Sequence, residues 1–277
     1  PANPHISFEV ARQENIVYGG LQAKGDILVT SHFEPMTQNP GSVFENMVLF
    51  YMDRFDLSDA SAPNMLAPVN IPGSLVDYNP NNHRIVTVDY VLGSLQTPDE
   101  NVCYMGGHYN IWYDYDLGHC FWLDRTLDIL NLVGNHAVLA SVKNYSEGYL
   151  ASVKATDSRI FVQLNSGYYY WYYDGVYEEQ DPRPLLKTIE IGGLFSYPTT
   201  STVRMPAPWS TLQAASGTSA VVTGSSPPSL AVYDASDPYN VEVSTETLLT
   251  GYSYGIEMDP DRIISANSMW GVQVIPY

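Results

Sequence analysis

One pattern returns five times along the chain: an apolar strand, a polar turn of Asp, Asn, Ser or Gly, and a second apolar strand. It reads Gly20–Thr30 around Lys24-Gly25-Asp26, then Leu75–Val88 around Asn79-Pro80-Asn81-Asn82. Leu150–Val162 turns at Thr156-Asp157-Ser158-Arg159, Leu212–Thr223 is a weaker copy, and Gly255–Ser265 turns at Asp259-Pro260-Asp261-Arg262. A repeat of this size settles the architecture before any single residue does, because one small sheet cannot bury its own faces and must stack on its neighbours.

A third and a fourth strand complete each unit. Val48–Phe55 runs into Asp56-Leu57-Ser58-Asp59, and Leu230–Tyr233 runs into Asp234-Ala235-Ser236-Asp237-Pro238. Asp and Ser side chains bond local backbone N–H groups in such turns, and proline fixes the exit. The fourth strand is expected at Leu66–Ile71, Val138–Lys143, Leu185–Ile191 and Val241–Leu248. Four short antiparallel strands per unit make the blade of a β-propeller. Val43–Met52 has apolar spacing that also suits a helix, but its aromatic and β-branched content and the Asp-Leu-Ser-Asp turn beyond it favour a strand.

On these stretches, best at Phe55–Gly73 and Leu230–Val243, the chain resembles bacterial secreted β-propeller proteins with Val-x-Asp-x-Ser-Asp-Pro repeats. Long inserts at Gln96–Leu123 and Gly193–Ser210 depart from that pattern. The resemblance implies an all-β propeller, and propellers host enzymes and inert scaffolds alike. We expect residues 1–277 to form one propeller domain or a propeller fragment of five blades: 15–73, 74–145, 147–192, 209–249 and 252–277. Ile6–Val10 would pair with Gly271–Ile275 to close the last blade. The alternative is a seven- or eight-bladed ring completed by other segments. Pro1–Phe8 resembles the tail of Val232–Val243, as if the chain began inside a repeat, and so suggests a processed piece of a larger protein.

Composition narrows the function classes. Twelve Lys+Arg against 30 Asp+Glu give a formal charge of -18, which argues against nucleic acid and anionic membrane surfaces as partners. No apolar stretch approaches the ~20 residues that span a bilayer. Twenty-two tyrosines with few lysines suit broad pleated surfaces and an exported protein, extracellular, at the cell surface or periplasmic.

Candidate sites cluster in two segments. Cys103 and Cys120, both within the 96–123 insert, are expected to form a disulfide, worth roughly 3 kcal/mol in the chain-entropy model. The competing use is a soft metal site from Cys103, Met105, His108, His119 and Cys120, with redox chemistry as its function. Trp112 and Tyr113, among the aromatics of the same insert, are candidate contact residues. In the run Tyr168–Gly175, strand alternation puts Tyr169, Trp171 and Tyr173 on one side, where they suit a sugar or a protein partner. Asp174, Glu178 and Asp181 offer oxygen ligands without EF-hand spacing, so calcium is the one cofactor with candidate ligands and none is otherwise expected. No Gly-x-Ser-x-Gly, His-Glu-x-x-His, Walker A or dinucleotide fingerprint occurs. The expectation is a non-catalytic interaction or structural module whose partner is protein: the remainder of its precursor or other subunits of an assembly. An extracellular polysaccharide hydrolase or lyase using loop carboxylates is the runner-up.

Overall fold

The computed structural model describes residues 16–36, 48–59, 61–96, 111–114, 119–145, 148–165, 181, 183–193 and 195–277; for 91–96, 111–114 and 119–124 it describes the backbone alone. Five antiparallel sheets follow one another along the chain. The first holds β1 (Val17–Tyr18), β2 (Gln22–Lys24), β3 (Ile27–Pro35), β4 (Val48–Asp56), β5 (Asn64–Met65) and β6 (Val69–Ile71). The second holds β7 (Ser74–Asn79), β8 (Arg84–Gln96), β9 (Ile111–Asp114), β10 (His119–Val133) and β11 (His136–Asn144). β12 (Tyr149–Ala155), β13 (Arg159–Asn165), β14 (Leu185–Glu190) and β15 (Thr199–Arg204) make the third. β16 (Thr211–Ser216), β17 (Ser219–Ser225), β18 (Pro228–Asp234) and β19 (Glu242–Leu248) make the fourth. The fifth has β20 (Gly255–Met258), β21 (Arg262–Ala266) and β22 (Val272–Pro276), with a 3-10 turn at Ser268–Trp270 before β22.

All five hairpins expected from the repeat are present, as β2/β3, β7/β8, β12/β13, β16/β17 and β20/β21. Two of their turns place glycine at positive φ, Gly25 at 61° and Gly217 at 55°, a region that a Cβ disfavours. One backbone bond recurs in four sheets and ties the end of the third strand to the first hairpin. Leu57 N–H donates to Asp26 O (2.8 Å), Leu132 to His83 O (2.7 Å), Ile191 to Ser158 O (3.3 Å) and Ala235 to Thr218 O (2.9 Å). The Asp-x-Ser-Asp turns form as expected: Ser58 N–H donates to Asp56 Oδ1 (2.9 Å) and Ser236 N–H to Asp234 Oδ1 (2.8 Å). Those bonds from Ser58 hold the Asp56 carboxyl below its ordinary range.

Residues 48–52 are strand, as their composition suggests. One expectation is corrected. Leu185–Ile191 reads from the sequence as the fourth strand of its blade, but β14 is the third and β15 the fourth. β15 lies inside the stretch 193–210 that reads as an insert. Its Thr-Thr-Ser-Thr-Val run returns through a turn at Gly192–Tyr197, where Gly192 N–H bonds Ser196 O (2.8 Å), and β-branched residues then favour the pleat.

The chain divides into two compact units, Pro1–Asp89 with Leu127–Lys143, and Tyr90–Thr126 with Asn144–Tyr277. In the first unit the core lies between the first two sheets, where Val29, Met52, Val69 and Ile71 meet Tyr78, Ile85, Leu130 and Leu132. In the second unit the fourth sheet is apolar on both faces. Ala220, Val222, Ala231 and Tyr233 join Phe161 and Leu186 of the third sheet. The alternate residues Val221, Leu230 and Val232 join Ile263 and Ile275 of the fifth. This is why β17 and β18 read as continuous apolar runs and not as an alternation. Polar pins cross the third–fourth seam: Leu212 N–H donates to Gln163 Oε1 (2.7 Å), Gln163 Nε2 to Ser210 O (3.0 Å), and Arg159 Nε to Ala235 O (3.3 Å).

Candidate interaction surface

The fifth sheet buries one face against the fourth, and among the described residues its other face is uncovered. β-strand alternation sends Ile263 and Ile275 inward, while Val272 and Val274 stay exposed on the opposite face. At one end of that sheet, the loop from Leu249 to Tyr254 and the 3-10 turn at Ser268–Trp270 carry four large exposed side chains. Tyr252 is 62% exposed, Tyr254 83%, Met269 86% and Trp270 67%. Single exposed apolar residues are ordinary; a group on two adjoining loops is not.

A buried polar network holds those loops. Asn267, fully buried, donates from Nδ2 to Thr250 Oγ1 (3.1 Å) and Gln273 Oε1 (2.9 Å), and accepts from Ser265 Oγ at Oδ1 (2.5 Å). Gln273 Oε1 also accepts Thr250 N–H (3.3 Å), and Ser265 Oγ meets Ser253 Oγ (3.0 Å). Backbone bonds from Asn267 N–H to Gly271 O (2.7 Å), from Trp270 N–H to Asn267 O (2.9 Å) and from Tyr254 N–H to Ala266 O (2.9 Å) close the turn. A Cβ on Gly251 would sit 2.4 Å from Trp270 Cδ1, so only glycine lets the indole lie over that backbone. Satisfied buried polar groups specify one conformation, so the aromatics stand on a rigid base.

The opposite end of the sheet is acidic. Arg262 Nε bonds Asp259 Oδ2 (2.8 Å), and Asp259 together with Asp261 and Glu257 holds its guanidinium more firmly protonated. Tyr277 donates to Asp259 O (2.8 Å), and its phenol is pushed up first by burial, then by Asp261 and Asp259. Apolar area with rigid aromatic anchors and a charged margin is the anatomy of a protein contact. It does not bring together the acid and base that catalysis needs.

A second cluster sits in the first unit. His32 Nδ1 donates to Asp53 Oδ2 (2.5 Å), both side chains buried, and His32 Nε2 lies 3.6 Å from Glu34 Oε1. The contacts described for His32 include no serine or threonine hydroxyl and no thiol, so the pair does not form the nucleophilic triad its first two members suggest. Asp77 is likewise committed, to Lys24 Nζ (2.6 Å) and Arg84 Nη2 (3.9 Å).

The residues singled out from the sequence are placed unevenly. Cys103, His108, Tyr169, Trp171, Tyr173, Asp174 and Glu178 lie outside the described residues, as do Ile6–Val10. Trp112, Tyr113, His119 and Cys120 are described by backbone, in a ribbon where Cys120 pairs with Tyr113 and His119 with Asp114. Asp181 takes a bidentate grip from Arg183, with Nη2 at 2.7 Å from Oδ2 and Nε at 3.0 Å from Oδ1, and Arg204 Nε lies 3.5 Å away. Those bonds hold the Asp181 carboxyl down at about 2. Nothing in the repeat pattern sets Tyr252, Tyr254, Met269 and Trp270 apart; the available signal is Thr-Gly-Tyr-Ser-Tyr-Gly, a glycine-flanked aromatic loop between strands.

No family model matches the chain, and no curated protein matches it. Among solved structures it is similar to the acylaminoacyl peptidase of Pyrococcus horikoshii, with TM-score 0.51 and 11% identity over 90% of this chain and 35% of that one. It is also similar to one of two prolyl endopeptidases studied for inter-domain dynamics, with TM-score 0.52 and 9% identity over 100% of this chain and 36% of that one. The chain thus spans about a third of the length of these structures. At such identity the likeness shows the fold alone, an all-β β-propeller architecture.

Proposed function

We propose that this chain is a non-catalytic, exported β-propeller that serves as an interaction or structural module. Its contact surface is the aromatic end of the fifth sheet. One observation carries this: Tyr252, Tyr254, Met269 and Trp270 stand exposed on loops pinned by a satisfied, buried Asn267 network. Exposed aromatics held rigid lose little entropy on binding, which is what makes them anchors. The partner is a protein with an apolar patch and a basic margin, complementary to Glu257, Asp259 and Asp261. The remainder of a larger precursor or another subunit of a surface assembly meets that description. Similarity to about a third of two much longer peptidases supports a role as one module beside others.

The test is site-specific photocrosslinking at Tyr254 in cells that make the protein, compared with the same crosslinker at Tyr239, which is also exposed. A discrete crosslinked species is expected at Tyr254 alone, lost in Trp270→Ala while that variant keeps the wild-type circular dichroism and melting curve. Equal crosslinking at both positions, or cleavage of polysaccharide by the purified chain, would overturn the proposal.

A further inference from the structure

In the first sheet, β3 places His32 and Glu34 two residues apart and therefore on one face of the strand. His32 pairs with Tyr51 across the β3/β4 ladder, and Asp53 lies two residues further along β4, on the same face. The imidazole is constrained from four directions. It stacks on Tyr51 (centroids 4.9 Å apart, planes at 16°), Tyr18 leans on it (5.9 Å, 52°), Asp53 Oδ2 holds Nδ1 at 2.5 Å, and Glu34 Oε1 stands 3.6 Å from Nε2.

A carboxylate accepts only, so Nδ1 carries the ring proton and Nε2 presents its lone pair. The 3.6 Å to Glu34 is too long for a hydrogen bond. Two donors, one imidazole nitrogen and one half-exposed carboxylate oxygen, therefore stand side by side without bonding each other. Zinc takes nitrogen and oxygen ligands at about 2.0–2.2 Å, which at a tetrahedral angle separates neighbouring donors by about 3.4 Å. The Asp53–His32 bond is the outer-shell arrangement that fixes the tautomer of a metal-bound histidine and raises its basicity. Asp53 Oδ1 is buried with no hydrogen-bond partner among the described residues, so its charge is directed to the imidazole.

We propose that His32 Nε2 and Glu34 bind a divalent cation of the zinc class, with Asp53 as the outer-shell carboxylate. Among the described residues no group of three or more His, Cys, Asp or Glu assembles, so water or a donor from a bound partner completes the coordination. Neutral imidazole with one carboxylate favours zinc, cobalt or copper over calcium or magnesium.

The experiment titrates the whole chain with cobalt(II), read by its visible absorbance, and with zinc as competitor. Wild type is expected to bind one ion displaced by zinc. Glu34→Gln, at a half-exposed position where folding is unaffected, is expected to weaken binding at least tenfold. His32→Gln is expected to abolish the band, and Asp53→Asn to weaken binding 10–100-fold with both ligands still in place. A Glu34→Gln titration superimposable on wild type overturns the proposal. So does a band that survives Glu34→Gln and disappears when His108 and His119 are replaced, which would put the metal in the cysteine-containing insert.

Discussion

Replacing Asn267 by Ala tests the rigidity of the interaction surface directly. The side chain makes three hydrogen bonds, to Thr250 Oγ1, Gln273 Oε1 and Ser265 Oγ. After truncation Gln273 Oε1 keeps Thr250 N–H and Ser265 Oγ keeps Ser253 Oγ, so none of the three partners is wholly orphaned except the Thr250 hydroxyl, which reaches solvent. The loss is therefore closer to the net value of three bonds, about 1 kcal/mol each, than to the larger penalty for stranded buried groups. We expect about 2–3 kcal/mol, or roughly 5–10 °C in Tm for a unit of this size. Urea denaturation followed by circular dichroism measures the first number. Fluorine NMR of 5-fluorotryptophan, with the Trp270 resonance assigned by Trp270→Phe, reports the local effect: a single sharp line is expected to broaden or split. A loss below about 0.5 kcal/mol with an unaltered Trp270 line would refute the claim that this network holds the aromatic loops.

Gln163→Leu keeps the volume but strands Leu212 N–H and Ser210 O between the third and fourth sheets, and a loss of about 2–4 kcal/mol is expected in the same urea assay. Arg159→Met removes the bond to Ala235 O and is expected to cost less, about 1–2 kcal/mol, because Arg159 Nη1 spends its other bond on its own neighbour, Ser158 O. The Asp181 carboxyl is expected to titrate at about 2 by carbon-detected NMR. Because its pKa falls on folding from an ordinary 3.8, the Arg183 grip favours the fold above pH ~4 and weakens as pH drops toward 2; a midpoint near 4 would mean the grip does not persist in solution. Tyr233, buried and beside Glu246, is held neutral with its pKa pushed up to about 12. A phenol pKa raised on folding favours the fold below pH ~10 and loses that contribution as pH climbs to about 12. Ultraviolet titration should therefore show one tyrosine ionising last, a phase that Tyr233→Phe removes.

The hairpins are legible in the sequence because a two-strand unit with a polar turn is a local pattern, visible wherever Gly25, Asn79, Asp157, Gly217 or Asp259 interrupts an apolar run. The Asp-x-Ser-Asp turns are legible for the same reason, since their bonds reach only two residues. β15 is not. Its Thr and Ser residues carry no apolar alternation, and what makes them a strand is the edge of β14 beside them, a partner the local pattern does not announce. The surface around Trp270 is hidden more thoroughly. Tyr252 and Tyr254 look like strand residues by composition, and their exposure depends on the outer face of the fifth sheet and on Asn267, a residue whose type predicts a turn and not a buried hub. His32 and Asp53 are 21 positions apart and meet only through the β3/β4 register.

The fourth sheet, apolar on both faces, leaves its central strands no permissive side. A substitution at Val221 is felt by the fifth sheet, and one at Ala220 or Val222 by the third. Along an ordinary half-buried strand every second position is free to drift; along β17 and β18 none is. Neutral variation in this part of the chain must therefore collect in turns and outer strands such as β19, where Glu242, Ser244 and Glu246 already face water. Descendants of such a sequence would keep a nearly invariant spine while their rims diverge, so new binding specificities can arise at the edges without any change to what the stack requires of its middle.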